Sequence, residues 1–131
     1  MGKKLVAAGY IYQKNTETIP VGANLKFSDN GRLEGISHTP GTAVIEVGNE
    51  GVYGITFSIY TTNVYQDWAV DVNGVEQARF SYGGPVMSDY AQLDLKAHDK
   101  ITIRNAGTEP DPAELVSGNW VTAYMLIYGY K

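Results

Sequence analysis

The sequence predicts an all-β fold, an antiparallel sandwich or barrel, and three observations carry that reading. Short apolar runs with period-two alternation recur along the chain, separated by turn residues. The dipeptide Asn73-Gly74, set between Val72 and Val75, favours a two-residue hairpin turn with positive φ. Helical periodicity is nearly absent, and the strand–helix–strand rhythm of a parallel sheet is missing.

Leu5–Tyr12 reads as the first strand. The opening MGKKLVAAGYIYQK places two lysines before an apolar run, as a signal peptide does. That run is only about eight residues long, is rich in Tyr and lacks a small-residue cleavage site, so a strand is the better reading. Leu25–Ser28 and Leu33–Ser37 flank Asp29-Asn30-Gly31, which reads as a turn; Ala43–Val47 and Val52–Thr61 flank Gly48-Asn49-Glu50-Gly51. The hairpin lies within WAVDVNGVEQARF, and Tyr90–Ala97, Lys100–Asn105 and Trp120–Tyr128 complete the strands. DPAELVSG is the single short helical candidate. No stretch approaches the roughly 18 apolar residues of a membrane-spanning helix, so membrane insertion is not expected.

The 131 residues are expected to form one domain, residues 1–131, long enough to bury a core without covalent staples. A net charge of −4, with no basic cluster longer than Lys3-Lys4, argues against nucleic acid as a partner. The absence of cysteine removes disulfides, thiolate metal sites and cysteine nucleophiles. Ten tyrosines against three phenylalanines suit half-buried strands and interfaces, because tyrosine joins a broad apolar body to a polar tip.

Two strands raise a question about their faces. In Gly41–Tyr60, the residues Tyr53, Ile55, Phe57 and Ile59 share one side, while Gly54, Thr56 and Ser58 leave the other small and nearly bare. In NWVTAYMLIYGYK, Val121, Ala123, Met125 and Ile127 share one side and Trp120, Tyr124, Leu126 and Tyr128 the other, so both are apolar. An outer strand of a two-layer sandwich needs only one apolar face. Either a long loop covers the second face or another subunit does.

GVYGITFSI (Gly51–Ile59), VNG (Val72–Gly74), LDLKAHDKITIRN (Leu93–Asn105) and the closing YMLIYGY resemble, in order, the tumour necrosis factor/C1q-like jelly roll. One departure is the turn Ala97-His98-Asp99, where the family pattern contains Gly. Asn15–Tyr53, and GISHTPGT within it, is most similar to the C-terminal domain of the collagen-like glycoproteins of the Bacillus exosporium. No Gly-X-Y stalk is present, so the resemblance implies a domain cut from such a stalk or a stalkless relative. It implies an antiparallel two-sheet jelly-roll sandwich that forms a compact homotrimer around a threefold axis. Gly54, Thr56, Ser58, Tyr90, Gln92, Val121, Ala123, Met125 and Ile127 would then line the subunit interface. Tyr53, Ile55, Phe57, Leu93, Leu95, Tyr124 and Leu126 would fill each sandwich.

Residues able to do chemistry do not converge. His38 and His98 lie in separate turns without metal-ligand spacing, and nucleophile-elbow, Walker and dinucleotide-binding motifs are lacking. Glu109, Asp111 and Glu114, in NAGTEPDPAE, are the weak candidates for oxygen ligands to calcium; a solvated, proline-stiffened loop is the plainer reading. Tyr60, Tyr65, Trp68 and Tyr82, with Gln66 and Asp67 nearby, could form a carbohydrate-stacking patch, although Trp68 opens an alternating strand and reads as core. No cofactor is expected. The sequence therefore predicts a non-enzymatic domain that trimerises and is displayed on a bacterial surface, the spore exosporium in particular, with a surface protein or glycan as partner. The competing reading is a ligand-binding module of the same fold, either lectin-like or a phage receptor-binding domain. A small jelly-roll enzyme is disfavoured by the scattered His, Asp and Glu.

Overall fold

The computed structural model describes residues 3–107 and 112–131, and these form strands and turns with no helix. A front sheet runs in the order β3 (Asp29–Glu34), β1 (Leu5–Gln13), β12 (Ala123–Tyr130), β6 (Gly51–Tyr60) and β9 (Val86–Leu95). A back sheet runs β4 (Ile36–Ser37), β5 (Ile45–Val47), β10 (Lys100–Asn105), β7 (Tyr65–Val72) and β8 (Val75–Gly83). A separate ribbon pairs β2 (Glu17–Ile19) with β11 (Ala113–Leu115). Every one of these pairings is antiparallel.

The core lies between the sheets, and alternation along each strand builds it. Ile11, Tyr53, Ile55, Phe57, Ile59, Met125 and Ile127 come from the front sheet; Ile45, Val47, Trp68, Val70, Ile101 and Ile103 come from the back. Phe57 and Phe80 meet edge to face across the gap, with centroids 5.2 Å apart. Tyr53 is buried, but its hydroxyl donates to the Asn49 carbonyl at 2.6 Å, so its polar tip is satisfied.

The tight hairpin is present. Asn73 and Gly74 have φ of 52° and 81°, the left-handed pair that a two-residue turn between twisted strands requires. Asn73 also braces the Ala97-His98-Asp99 turn, donating to Asp99 Oδ1 at 2.9 Å and accepting from the Lys100 N–H at 3.0 Å. The Lys96 N–H and then the Asn73 amide hold the Asp99 carboxyl below its ordinary range.

Two expectations are corrected. Asp29-Asn30-Gly31 is no turn but the start of β3, paired with β1 through Tyr12↔Asp29 and Ile11↔Asn30. Gly31 is there for closeness: a Cβ would stand 2.8 Å from the Tyr10 ring. DPAELVSG is not helical over its described part, because Ala113–Leu115 pairs with Glu17–Ile19, nearly a hundred residues away in the chain by the separation of 96 between Thr18 and Glu114. There Thr18 Oγ1 donates to Glu114 at 2.8 Å.

Glu17 offers a test of this ribbon. Burial pushes its carboxyl above the ordinary value, against the opposing hydrogen bond from the Lys26 N–H. A raised folded-state value favours the fold when the group is protonated, and that contribution is lost as pH rises through it. Glu17→Gln is therefore expected to raise the melting temperature at pH 7 by on the order of a few °C. The gain should vanish in melts below about pH 4. A glutamine variant less stable than the parent at pH 7 would show that the carboxylate is favoured where it stands.

Candidate functional site

Antiparallel register fixes which side chains share a face of the front sheet. Three rungs cross its outer surface: Tyr10, Leu126, Thr56 and Tyr90; Ala8, Tyr128, Gly54 and Gln92; Tyr12, Tyr124, Ser58 and Ser88. The outward residues of β1, β12 and β6 are Ala8, Tyr10 and Tyr12; Tyr124, Leu126, Tyr128 and Tyr130; and Val52, Gly54, Thr56, Ser58 and Tyr60. None of them is charged. A sheet face turned to water ordinarily carries charged side chains; here they are confined to the edge strands, Asp29 and Glu34 on β3 and Asp94 on β9.

The structure corrects the facing of the last strand. Ala123, Met125 and Ile127, expected at the interface, are at most 1% exposed and fill the core opposite Ile59, Phe57 and Ile55. Tyr124 and Leu126, expected inside, point outward and are half-buried. The physical reason is the partner: β12 pairs with β6 without a bulge, so its inward residues must be those opposite the inward row of β6. Val121 precedes the strand and is exposed, beside Trp120. Gly54, Thr56, Ser58, Tyr90 and Gln92 do lie together on the outer face. Of the expected sandwich fillers, Tyr53, Ile55, Phe57 and Leu95 are buried and Leu93 packs half-buried against the core.

The face has two textures. On β1 and β12, Tyr10 stacks on Tyr12 with centroids 5.1 Å apart and lies 6.0 Å from Tyr124. Burial, then the neighbouring Tyr12 and Tyr124, pushes the Tyr10 phenol above its ordinary value, so it stays neutral and adds no charge to the face. On β6 and β9 the surface is lower, and Ser88 donates to Ser58 at 3.0 Å. Gly54 makes room for Tyr90, whose hydroxyl would stand 2.7 Å from a Cβ there. A shallow groove of about 330 Å³ runs between the textures, walled by Tyr90, Leu126, Tyr128 and Tyr130, with Lys3 also lining it. Reasoning from sequence missed Tyr10, Tyr12, Tyr128 and Tyr130 as members of this face. The excess of tyrosine was the signal that could have found them.

The other expected sites do not come together. Tyr60 is on the outer face of the front sheet, Tyr65 and Tyr82 are exposed on the back sheet, and Trp68 is core, its Nε1–H donating to Gln66 at 3.1 Å. The aromatic set is therefore not one stacking patch. Glu109 and Asp111 lie outside the described residues, and Glu114 is engaged by Thr18. Among the described residues, no group of three His, Cys, Asp or Glu side chains is placed to hold a metal ion. His38 is buried with ring nitrogens against Asn30 Oδ1 and the Thr42 carbonyl, a structural placement, while His98 is exposed and 3.2 Å from Glu46.

No family model matches the chain, and no curated protein matches it in sequence. Solved structures do match in shape. The globular domain of the zebrafish complement 1qA protein superposes with a TM-score of 0.73 at 16% identity, covering 92% of this chain and 94% of its own. The Eiger TNF of S. frugiperda gives a TM-score of 0.73 at 15% identity, covering 95% and 92%. Murine APRIL gives 0.65 at 12% identity, covering 94% and 98%. These likenesses establish the fold as a TNF/C1q-like jelly roll.

Proposed function

We propose that this is a non-enzymatic assembly module: a homotrimer built through the outer face of the front sheet. The observation that carries the proposal is the uncharged, tyrosine-rich surface of β1, β12 and β6, continued onto β9 by Tyr90 and Gln92. Its two textures suit a head-to-tail contact, in which the raised Tyr10–Tyr12–Tyr124 side of one copy sits on the low Ser58–Ser88 side of the next. Such a heterologous contact closes into a ring when the rotation allows. The shared fold with the TNF and complement 1qA structures supports the trimer as the closed form. Display on a bacterial surface, the spore exosporium in particular, is the finer part of the proposal; it rests on the similarity of Asn15–Tyr53 to the exosporium glycoproteins.

Light scattering on the purified chain at micromolar concentration is the test. The expected result is three times the 14.3 kDa chain mass. A particle of one chain mass would overturn the proposal, since it would leave the uncharged face in water.

A further inference from the structure

Away from the assembly face, a cleft of about 490 Å³ opens where the β6–β7 loop, the start of β7 and the end of β10 meet. That volume is in the range of small-molecule sites. Its walls are held by side-chain amides. Asn63 donates to the Pro112 carbonyl at 2.9 Å and accepts from the Glu114 N–H at 2.9 Å. Asn105 donates to the Ile19 carbonyl at 2.9 Å and accepts from the Gly107 N–H at 3.0 Å. Gln66, on the core side of β7, donates to the Gly84 and Pro85 carbonyls and accepts from Trp68 Nε1. Amides pinned at both ends are held in place without a ligand.

Recognition then falls to the mouth, where Tyr65 and Asp67 stand. They are alternate residues of β7 and so project from the same side of the strand. Tyr65 is 73% exposed, and its ring lies beside its cross-strand partner Gly83, where a Cβ would meet it at 3.5 Å. The rest of the ring is open. Asp67 is half-buried beside it and offers two acceptor oxygens.

We propose that this cleft binds a neutral pyranose sugar. The C–H face of the ring would pack on Tyr65, while a pair of adjacent hydroxyls would donate to the Asp67 carboxylate. The chemistry narrows the class. An anionic sugar or phosphate would meet the Asp67 charge, and no Lys or Arg lines the cleft among the described residues. A purely apolar ligand would strand the polar rim. The site is on the back sheet, so it stands or falls independently of the trimer.

The experiment is saturation-transfer NMR on the intact chain with the methyl pyranosides of glucose, galactose, mannose, N-acetylglucosamine and rhamnose, and with N-acetylneuraminic acid. At least one neutral sugar is expected to show saturable transfer with a Kd near 1 mM, a shallow-site affinity. Tyr65→Ala should weaken it tenfold or more and Asp67→Asn several-fold, with mass and melting temperature unchanged, because both side chains are at the surface. In the unaltered protein, titration should move the amide resonances of Gly83 and Gly107, a readout that needs no variant. The proposal is overturned if none of the five neutral sugars transfers, if Tyr65→Ala binds as the parent does, if the shifts map elsewhere, or if the anionic sugar binds more tightly than all neutral ones.

Discussion

Met125→Asp is expected to yield no folded protein. Met125 is 0% exposed and lies between Phe57 on β6 and Ile11 on β1. Losing the buried methionine costs about 2–5 kcal/mol in comparable sites. Leaving an unpaired carboxyl in its place adds several kcal/mol more, whether it ionises or stays protonated. A domain of this size has about 5–15 kcal/mol in total, so the sum reaches the whole reserve. Soluble yield and the far-UV circular dichroism spectrum are the measurements. A soluble variant with a native β spectrum and an unchanged melt would place Met125 outside the core. Its neighbour Leu126 points the other way, and Leu126→Asp should keep the β spectrum while losing assembly. The contrast between two consecutive residues reports the facing of β12 directly.

Thr56→Arg should separate folding from assembly most cleanly. Thr56 is opposite Leu126 on one side and Tyr90 on the other, in the middle of the uncharged face. In an isolated chain the guanidinium would reach water at little cost. In a ring of three, each copy would bury one such charge against tyrosine and leucine, at roughly 2–5 kcal/mol per site. The expected outcome is a β-rich particle of one chain mass at micromolar concentration. A variant that kept the parental mass and melting temperature would mean that position 56 faces solvent in the assembled protein.

Much of the fold was legible because its instructions are local. Asn73-Gly74 specifies its hairpin by backbone geometry alone, and Lys100–Asn105 alternates cleanly enough to be bounded at both ends. What escaped was set by residues distant in the chain. Ala113–Leu115 becomes a strand only because Glu17–Ile19 is there to pair with it. Gly31 resembles a turn glycine in sequence but serves the approach of the Tyr10 ring. The facing of β12 was ambiguous because hydrophobicity cannot rank two apolar rows. Residue chemistry could have done so: Met125 and Ile127 have no polar group, whereas Tyr124 and Tyr128 carry hydroxyls that a dry core would have to satisfy. The face composed of Gly54, Thr56 and Ser58 was legible for the opposite reason, since its partner row, Tyr53 to Ile59, could only be core. The cleft at Tyr65 and Asp67 was half visible. Tyr65 and Asp67 were near one another in sequence, but Trp68 was joined to them when its side chain belongs to the core.

The position of β12 also governs the order of events when the chain is made. It sits in the middle of the front sheet, between β1 and β6, although it comes last in sequence. Ribosomes extend chains at about 5–20 residues per second, so β1 waits on the order of ten seconds for the neighbour that covers its edge. Until Ala123–Tyr130 emerges, the front sheet exists as two fragments, β3 with β1 and β6 with β9, each with an open edge towards the missing strand. Pairing across so long a stretch of chain is intrinsically slow and cannot begin early. A chain that stops before Ala123 therefore lacks the strand that joins the two halves of the front sheet. The strand works as a gate: only polypeptides that extend through Tyr130 can close the front sheet.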